Sequence, residues 1–128
     1  MKVLSIREPF TTLISLGIKK VETRSWKTNY RGELYIHACG VKLEKRIILN
    51  DYIMSLISDK TMMFGNIICK CKLVDCIYMT EEYINSIKDT PEYKLGHYEV
   101  GRYAWILEDV QIITPISIKS KLGIWQYN

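Results

Sequence analysis

Ten consecutive residues hold more polar function than folding requires: Gly17-Ile18-Lys19-Lys20-Val21-Glu22-Thr23-Arg24-Ser25-Trp26. Read as a strand from Val21 to Trp26, this segment sends Glu22, Arg24 and Trp26 to one face and Val21, Thr23 and Ser25 to the other. A carboxylate, a guanidinium and an indole then stand in a row, roughly 7 Å apart. Lys19, at the turn entering the strand, reaches the same space. Trp26 offers a stacking surface for a base. Arg24 can grip a phosphate or a base edge with its planar fork. Glu22 can accept from an exocyclic amine or act as a base, and Lys19 can bind phosphate or orient a carbonyl oxygen. The plainer alternative is a solvated Glu22–Arg24 surface pair contributing under about 1 kcal/mol.

The elements around this segment follow from periodicity. Residues 2–7 read as a strand, with Leu4 and Ile6 on one side and Val3, Ser5 and Arg7 on the other. Pro9 opens a short helix through about Leu16, and Gly17 stops it. After the turn 29–32, a strand runs from Glu33 to Cys39, setting Leu34, Ile36 and Ala38 against Tyr35, His37 and Cys39. Helical spacing of Leu43, Ile47, Leu49, Ile53 and Leu56 predicts one amphipathic helix over 42–57. A long strand spans 65–78, its odd positions nearly all apolar (Ile67, Cys69, Cys71, Leu73 and Ile77) and its even ones including Lys70 and Lys72. Thr80-Glu81-Glu82 marks a helix start that carries through to about Lys88. The last major strand is 102–113, followed by an apolar tail over 122–127. Five or six strands with three helices and unequal connections predict a mixed α/β (α+β) chain with a curled sheet or small barrel.

The chain has 128 residues, 48% hydrophobic and 25% charged, which suits one domain over 1–128 with a core of its own. No stretch has the roughly 20 apolar residues of a membrane helix, and the N-terminus lacks a signal-peptide core. A cytoplasmic protein with no membrane partner is expected, its thiols reduced. Cys39, Cys69, Cys71 and Cys76 form no CxxC pair, so they read as buried thiols and no metal is expected. No cofactor is implied. The net charge of +4 fits an anionic partner without demanding one.

Several blocks together resemble the ASCH domain family, members of the PUA-like superfamily. Leu4-Ser5-Ile6-Arg7-Glu8-Pro9-Phe10 is similar to the family's opening, and Gly17-x-Lys19-x-x-Glu22-x-Arg24 resembles its signature. Asn29-Tyr30-Arg31-Gly32 with Tyr35-Ile36-His37-Ala38 follows in family order. Gly96-His97-Tyr98, Gly101-Arg102-Tyr103-Ala104-Trp105-Ile106-Leu107, Pro115-Ile116 and Gly123-Ile124-Trp125 complete the match. The resemblance implies a small PUA-like β-barrel flanked by helices. It implies a cleft lined by Ser5, Arg7, Lys19, Glu22, Arg24, Trp26, His37 and Trp105, and a partner that is RNA or a nucleotide-like small molecule.

Some small relatives remove the acetyl group from N4-acetylcytidine with a Lys-x-x-Thr pair. Here Lys19 matches, but Glu22 occupies the Thr slot, and Thr23 comes one residue late. Ribonuclease activity is also attributed to some family members, for which Glu22 with Lys19 or His37 would supply acid and base. Lys19 and Glu22 are thus the candidate catalytic pair if the protein is a hydrolase. A protein-interaction adaptor is a further alternative. Among single residues, His37 reads as either a packed histidine or a cleft group, and Trp105 as either core or platform. Arg31 is a surface charge or a phosphate contact, and Arg102 could close the cleft mouth.

Overall fold

The computed structural model describes residues 1–128. One six-stranded sheet dominates, curled into a half-barrel with strand order β2-β5-β4-β3-β1-β6. The strands are β1 (Lys2–Ile6), β2 (Val21–Arg24), β3 (Gly32–Ala38), β4 (Asn66–Tyr78), β5 (Tyr103–Ser117) and β6 (Ile124–Gln126). Helices α1 (Phe10–Ser15), α2 (Lys45–Ile48), α3 (Asp51–Leu56) and α4 (Glu81–Ile87) and a 3-10 turn at Pro91–Leu95 complete the chain. This is the mixed architecture expected from the sequence.

The sheet curls because its two longest strands do not pair evenly. The β4–β5 ladder shifts register between Ile67 and Cys69, between Lys70 and Lys72, and between Leu73 and Asp75. Such bulges add twist and bend the strands. Asp109 adopts a positive φ of 54° at the middle shift, where an extra β5 residue is taken up. The alternation expected for β4 breaks at the first shift. Ile67 and Ile68 are both buried, Ile68 in the main core and Ile67 in a smaller cluster with Val3 and Trp125. Leu4, Ile6, Leu34, Ile36, Trp105 and Leu107 fill the concave side of the sheet. Cys69 and Cys71 join that core, and burial pushes their thiols up to about 12.

α1 ends where glycine permits it. Gly17 sits at C′ with φ of 75°, its N–H donating to the Ile14 carbonyl at 3.0 Å. The single helix expected over 42–57 is instead α2 and α3. Asn50 between them is extended (φ −89°, ψ 98°), and its side chain accepts the Ile53 N–H at 3.0 Å. A side chain that caps a new helix start competes with the helix running through it. The apolar spacing still serves packing: Ile47, Ile53 and Ile57 gather with Leu13 and Leu95. Leu49, expected on the buried face, is exposed at the break. The start of α4 agrees with its sequence signal, Thr80 accepting the Tyr83 N–H at 3.1 Å. No helix is long and apolar enough to cross a membrane.

Candidate functional site

β2 is shorter than expected. It ends at Arg24 because its partner β5 begins at Tyr103, directly opposite. Trp26 therefore lies beyond the ladder, edge-on against Trp105 (centroids 4.8 Å apart, planes at 85°), with 37% of its surface exposed. Glu22 and Arg24 share a face as the strand period requires. Arg24 Nε donates to Glu22 Oε2 at 2.9 Å, and Arg24 Nη2 donates to the Ser5 carbonyl at 2.8 Å. β1 and β2 are not neighbours in the sheet. Arg24 bridges the open side of the half-barrel and fixes one wall of a cleft there. Glu22 is buried, yet its Oε1 carries no hydrogen bond and is not sealed from solvent.

Lys19 is 1% exposed. Its Nζ donates to the Leu95 carbonyl at 2.7 Å and stands 5.4 Å from the centre of the Phe10 ring. Burial lowers its pKa below the ordinary lysine value, while the carboxylates of Glu22 and Glu92 oppose that shift. Leu95 belongs to a strap, residues 91–98, laced onto β2. Glu92 accepts the Lys20 N–H at 2.8 Å and the Val21 N–H at 3.4 Å, and Thr23 Oγ1 accepts the His97 N–H at 3.0 Å. The Thr23 hydroxyl is thus occupied in holding the strap. Gly96 is needed where it stands: a Cβ there would meet Thr23 and Tyr98 side-chain atoms at 2.9 Å. Tyr98 stacks on Tyr93 at 5.5 Å, and its buried hydroxyl has no hydrogen-bond partner. Burial, with Glu92, Tyr83 and Glu22 nearby, raises the pKa of that hydroxyl.

These elements enclose a cleft of about 1220 Å³. Ser5, Arg7, Lys19, Glu22, Arg24 and Trp26 all line it. Arg31, His37 and Trp105 do not, contrary to the expectation that His37 and Trp105 face the ligand. His37 is fully buried behind Ser5. Its Nε2 lies 2.6 Å from the Ile118 carbonyl, which can only accept, so the hydrogen is on Nε2. Nδ1 faces the hydroxyls of Ser5 (3.1 Å) and Ser120 (3.3 Å). Both ring nitrogens are occupied inside the protein. Trp105 is fully buried in the core, its Nε1 donating to the Trp26 carbonyl at 3.4 Å, so it supports Trp26 rather than the ligand. Arg31 donates to the Thr28 and Tyr30 carbonyls and pairs with Asp75 at 3.8 Å, on the outside surface.

Of the wall facing β2, the sequence pointed only to Arg7. Arg7 and Arg46 both grip Glu44, at 2.8 and 2.7 Å, tying the end of β1 to the start of α2. Lys42, Lys94, Arg102 and Lys121 also line the cleft. In all, eight Lys or Arg and three Glu side chains face it. The exposed histidine is His97, which lines the cleft with Nε2 2.8 Å from Glu99. Glu8, missed as well, is buried. Burial raises its pKa, and Thr12 N–H and hydroxyl donate to its two oxygens at 2.8 and 2.7 Å. No group of three or more His, Cys, Asp or Glu side chains is placed to hold a metal ion.

Residues 4–117 match the ASCH domain family. The chain is 51% identical over 37 residues to "Activating signal cointegrator 1" of Mus musculus, covering 29% of this chain and 6% of that protein. It is 49% identical over 39 residues to the Homo sapiens protein of the same name, covering 30% of this chain and 7% of that protein. The matched stretch is thus a small part of these relatives' length. Two crystal structures of ASCH from Zymomonas mobilis superpose on it. A Ser-to-Ala mutant gives a TM-score of 0.57 at 18% identity, covering 91% of this chain and 73% of that chain. A Tyr-to-Phe mutant gives 0.50 at 17% identity, covering 91% and 74%. These similarities show a shared fold.

Proposed function

The chain belongs to the ASCH domain family, and from that premise we propose that its cleft binds RNA or a nucleotide-like small molecule. The observation that carries this reading is the inner end of the cleft. Arg24 is held there by Glu22 and the Ser5 carbonyl, beside an exposed Trp26. A fixed guanidinium next to an open aromatic face suits a phosphate joined to a planar base. Glu22 Oε1 is left to accept from an exocyclic amine. The excess of cations over carboxylates along the walls favours an anion throughout.

Nucleotide titration followed by tryptophan fluorescence or calorimetry tests the reading. Trp26→Ala is expected to weaken binding roughly 10- to 100-fold, the loss of one base–aromatic stack. Arg24→Ala is expected to weaken it further and to flatten its salt dependence. Affinity indifferent to both substitutions would overturn the reading.

A second reading, hydrolysis of an amide in a modified nucleoside, is favoured by one observation. Lys19 presents a buried amine of lowered pKa close to a carboxylate with a free oxygen. That combination can activate water and polarise a carbonyl. Incubation with N4-acetylcytidine, with Glu22→Gln as the control, decides it: cytidine must form with the parent protein and not with the variant.

A further inference from the structure

The mouth of the cleft repeats one small pattern three times: an exposed lysine beside an exposed apolar side chain. Lys42 follows Val41, and Lys121 precedes Leu122, which is 98% exposed. Lys94 lies over the exposed ring of Tyr52, 4.9 Å from its centre. All three lysines line the cleft, and they come from separate segments: before α2, in the 3-10 turn and before β6. Exposed apolar side chains scattered singly are ordinary, but here each stands with a cation at one opening.

No carboxylate answers these lysines. Three line the cleft, and each is engaged elsewhere: Glu8 accepts from Thr12, Glu22 pairs with Arg24, and Glu44 is gripped by Arg7 and Arg46. Lys42, Lys94 and Lys121 belong to no ion pair. The mouth is therefore complementary in charge to an acidic partner.

The apolar half of the pattern decides which kind. A nucleobase needs an open aromatic face. The rings beside these lysines are already engaged: Tyr52 lies under Lys94, Trp125 is buried under Lys121 at 5.6 Å, and Tyr93 is stacked on Tyr98. The side chains left most free, Val41 and Leu122, are aliphatic. They pack against other apolar side chains, and a polypeptide that carries such side chains between its carboxylates meets both halves of the pattern.

We propose that the mouth of the cleft is a docking surface for an acidic amphipathic segment of a partner protein. Its carboxylates meet Lys42, Lys94 and Lys121, and its apolar side chains cover Val41, Tyr52 and Leu122. Charge steers the segment in, and the apolar contacts select it from other anions. The surface is separate from Arg24 and Trp26 at the inner end, so it does not require a nucleotide there.

Fluorescence anisotropy with a labelled synthetic peptide of Asp, Glu, Leu and Phe tests it. Two controls have equal length, one with Ser in place of Leu and Phe, the other with Lys in place of Asp and Glu. Binding is expected for the first peptide alone, and added salt should weaken it. The double variant Lys42→Glu/Lys121→Glu is expected to weaken binding at least about 10-fold, because it sets like charges against the peptide. Val41→Ser/Leu122→Ser is expected to weaken it about 10-fold through lost apolar burial. All four residues are exposed and lie outside helices and strands, so the thermal midpoint should not move. No binding of the first peptide overturns the docking surface. Equal binding of the serine control also overturns it, by reducing the mouth to a general anion sink. Tetrauridylate that displaces the peptide and weakens equally in both double variants assigns the mouth to nucleic acid instead. A dimer seen by light scattering and abolished in Leu122→Ser assigns it to a second copy of the chain. Loss of nucleotide binding in Arg24→Ala or Trp26→Ala changes none of these outcomes.

Discussion

The two ends of the cleft are built from the same residue types and work differently. At the inner end each charge has a protein partner: Arg24 has Glu22 and the Ser5 carbonyl, and Lys19 has the Leu95 carbonyl. At the exposed mouth, Lys42, Lys94 and Lys121 line the cleft with neither a carboxylate nor a carbonyl partner, whereas Arg102 is held by the carbonyls of His97 and Thr23. Inner-end charges are therefore part of what holds β1, β2 and the strap together. The three mouth lysines are free to act on whatever enters. A lysine in one place is a structural member, and in the other it is an unmet demand for an anion.

Glu22→Ala should break this comparison most severely. It strands a part-buried guanidinium beside a buried amine, and we expect a loss of about 3 kcal/mol in urea unfolding. Lys42→Ala, by contrast, should stay within about 0.5 kcal/mol of the parent protein. Similar losses from the two would erase the distinction between the ends.

Lys19 sharpens it through pH. Its folded pKa lies below its unfolded value, so between the two the unfolded chain holds more protons. Its contribution is unfavourable below the folded pKa and is relieved as pH rises toward about 10.4, so stability gains a positive slope there. Cys69 and Cys71 act oppositely, because their folded pKa values are raised to about 12 and stability falls as pH climbs past their unfolded values. Comparing the parent protein with Lys19→Met isolates the lysine: the variant should lack the positive slope. Two parallel pH profiles would show that the amine is not desolvated.

Much of this organisation was readable in the residues, for local reasons. Gly17 past a helix end, Thr80 before two acids and the alternation of β1 depend only on neighbours in sequence. Glu22 and Arg24 came together because strand period fixes which side chains share a face, and Lys19 joined them from the turn that enters β2. His37 also sat on a readable strand, but its partners Ile118 and Ser120 are about 80 residues away, so nothing local revealed that both its nitrogens were taken. Apart from Arg102, the mouth was illegible for the same reason. Lys42 and Lys121 are two ordinary lysines in a lysine-rich chain until the half-barrel brings their loops to one cleft. The 42–57 helix failed on a single competing bond, from the Ile53 N–H to Asn50.

Two smaller effects complete the comparison. Tyr98→Phe removes a buried hydroxyl with no partner and keeps the stack on Tyr93. It should raise stability by about 1 kcal/mol, read as a higher urea midpoint at unchanged slope. Arg31→Ala alters a charge outside both ends of the cleft. It should change stability by no more than about 0.5 kcal/mol and leave nucleotide affinity where it was. A drop in affinity would extend the site beyond the cleft described here.

The strap over β2 has a consequence outside recognition. β2 is an end strand of the sheet, and an end strand with free N–H groups is a template on which another chain can add. Glu92 occupies the Lys20 and Val21 N–H groups, and the 91–98 segment covers that margin. The opposite margin, β6, is three residues long, too short to seed extended pairing. The lacing that shapes one wall of the cleft therefore also keeps copies of the protein from zipping together into fibres. A variant unlaced to admit a larger ligand would reveal itself first as an aggregating protein.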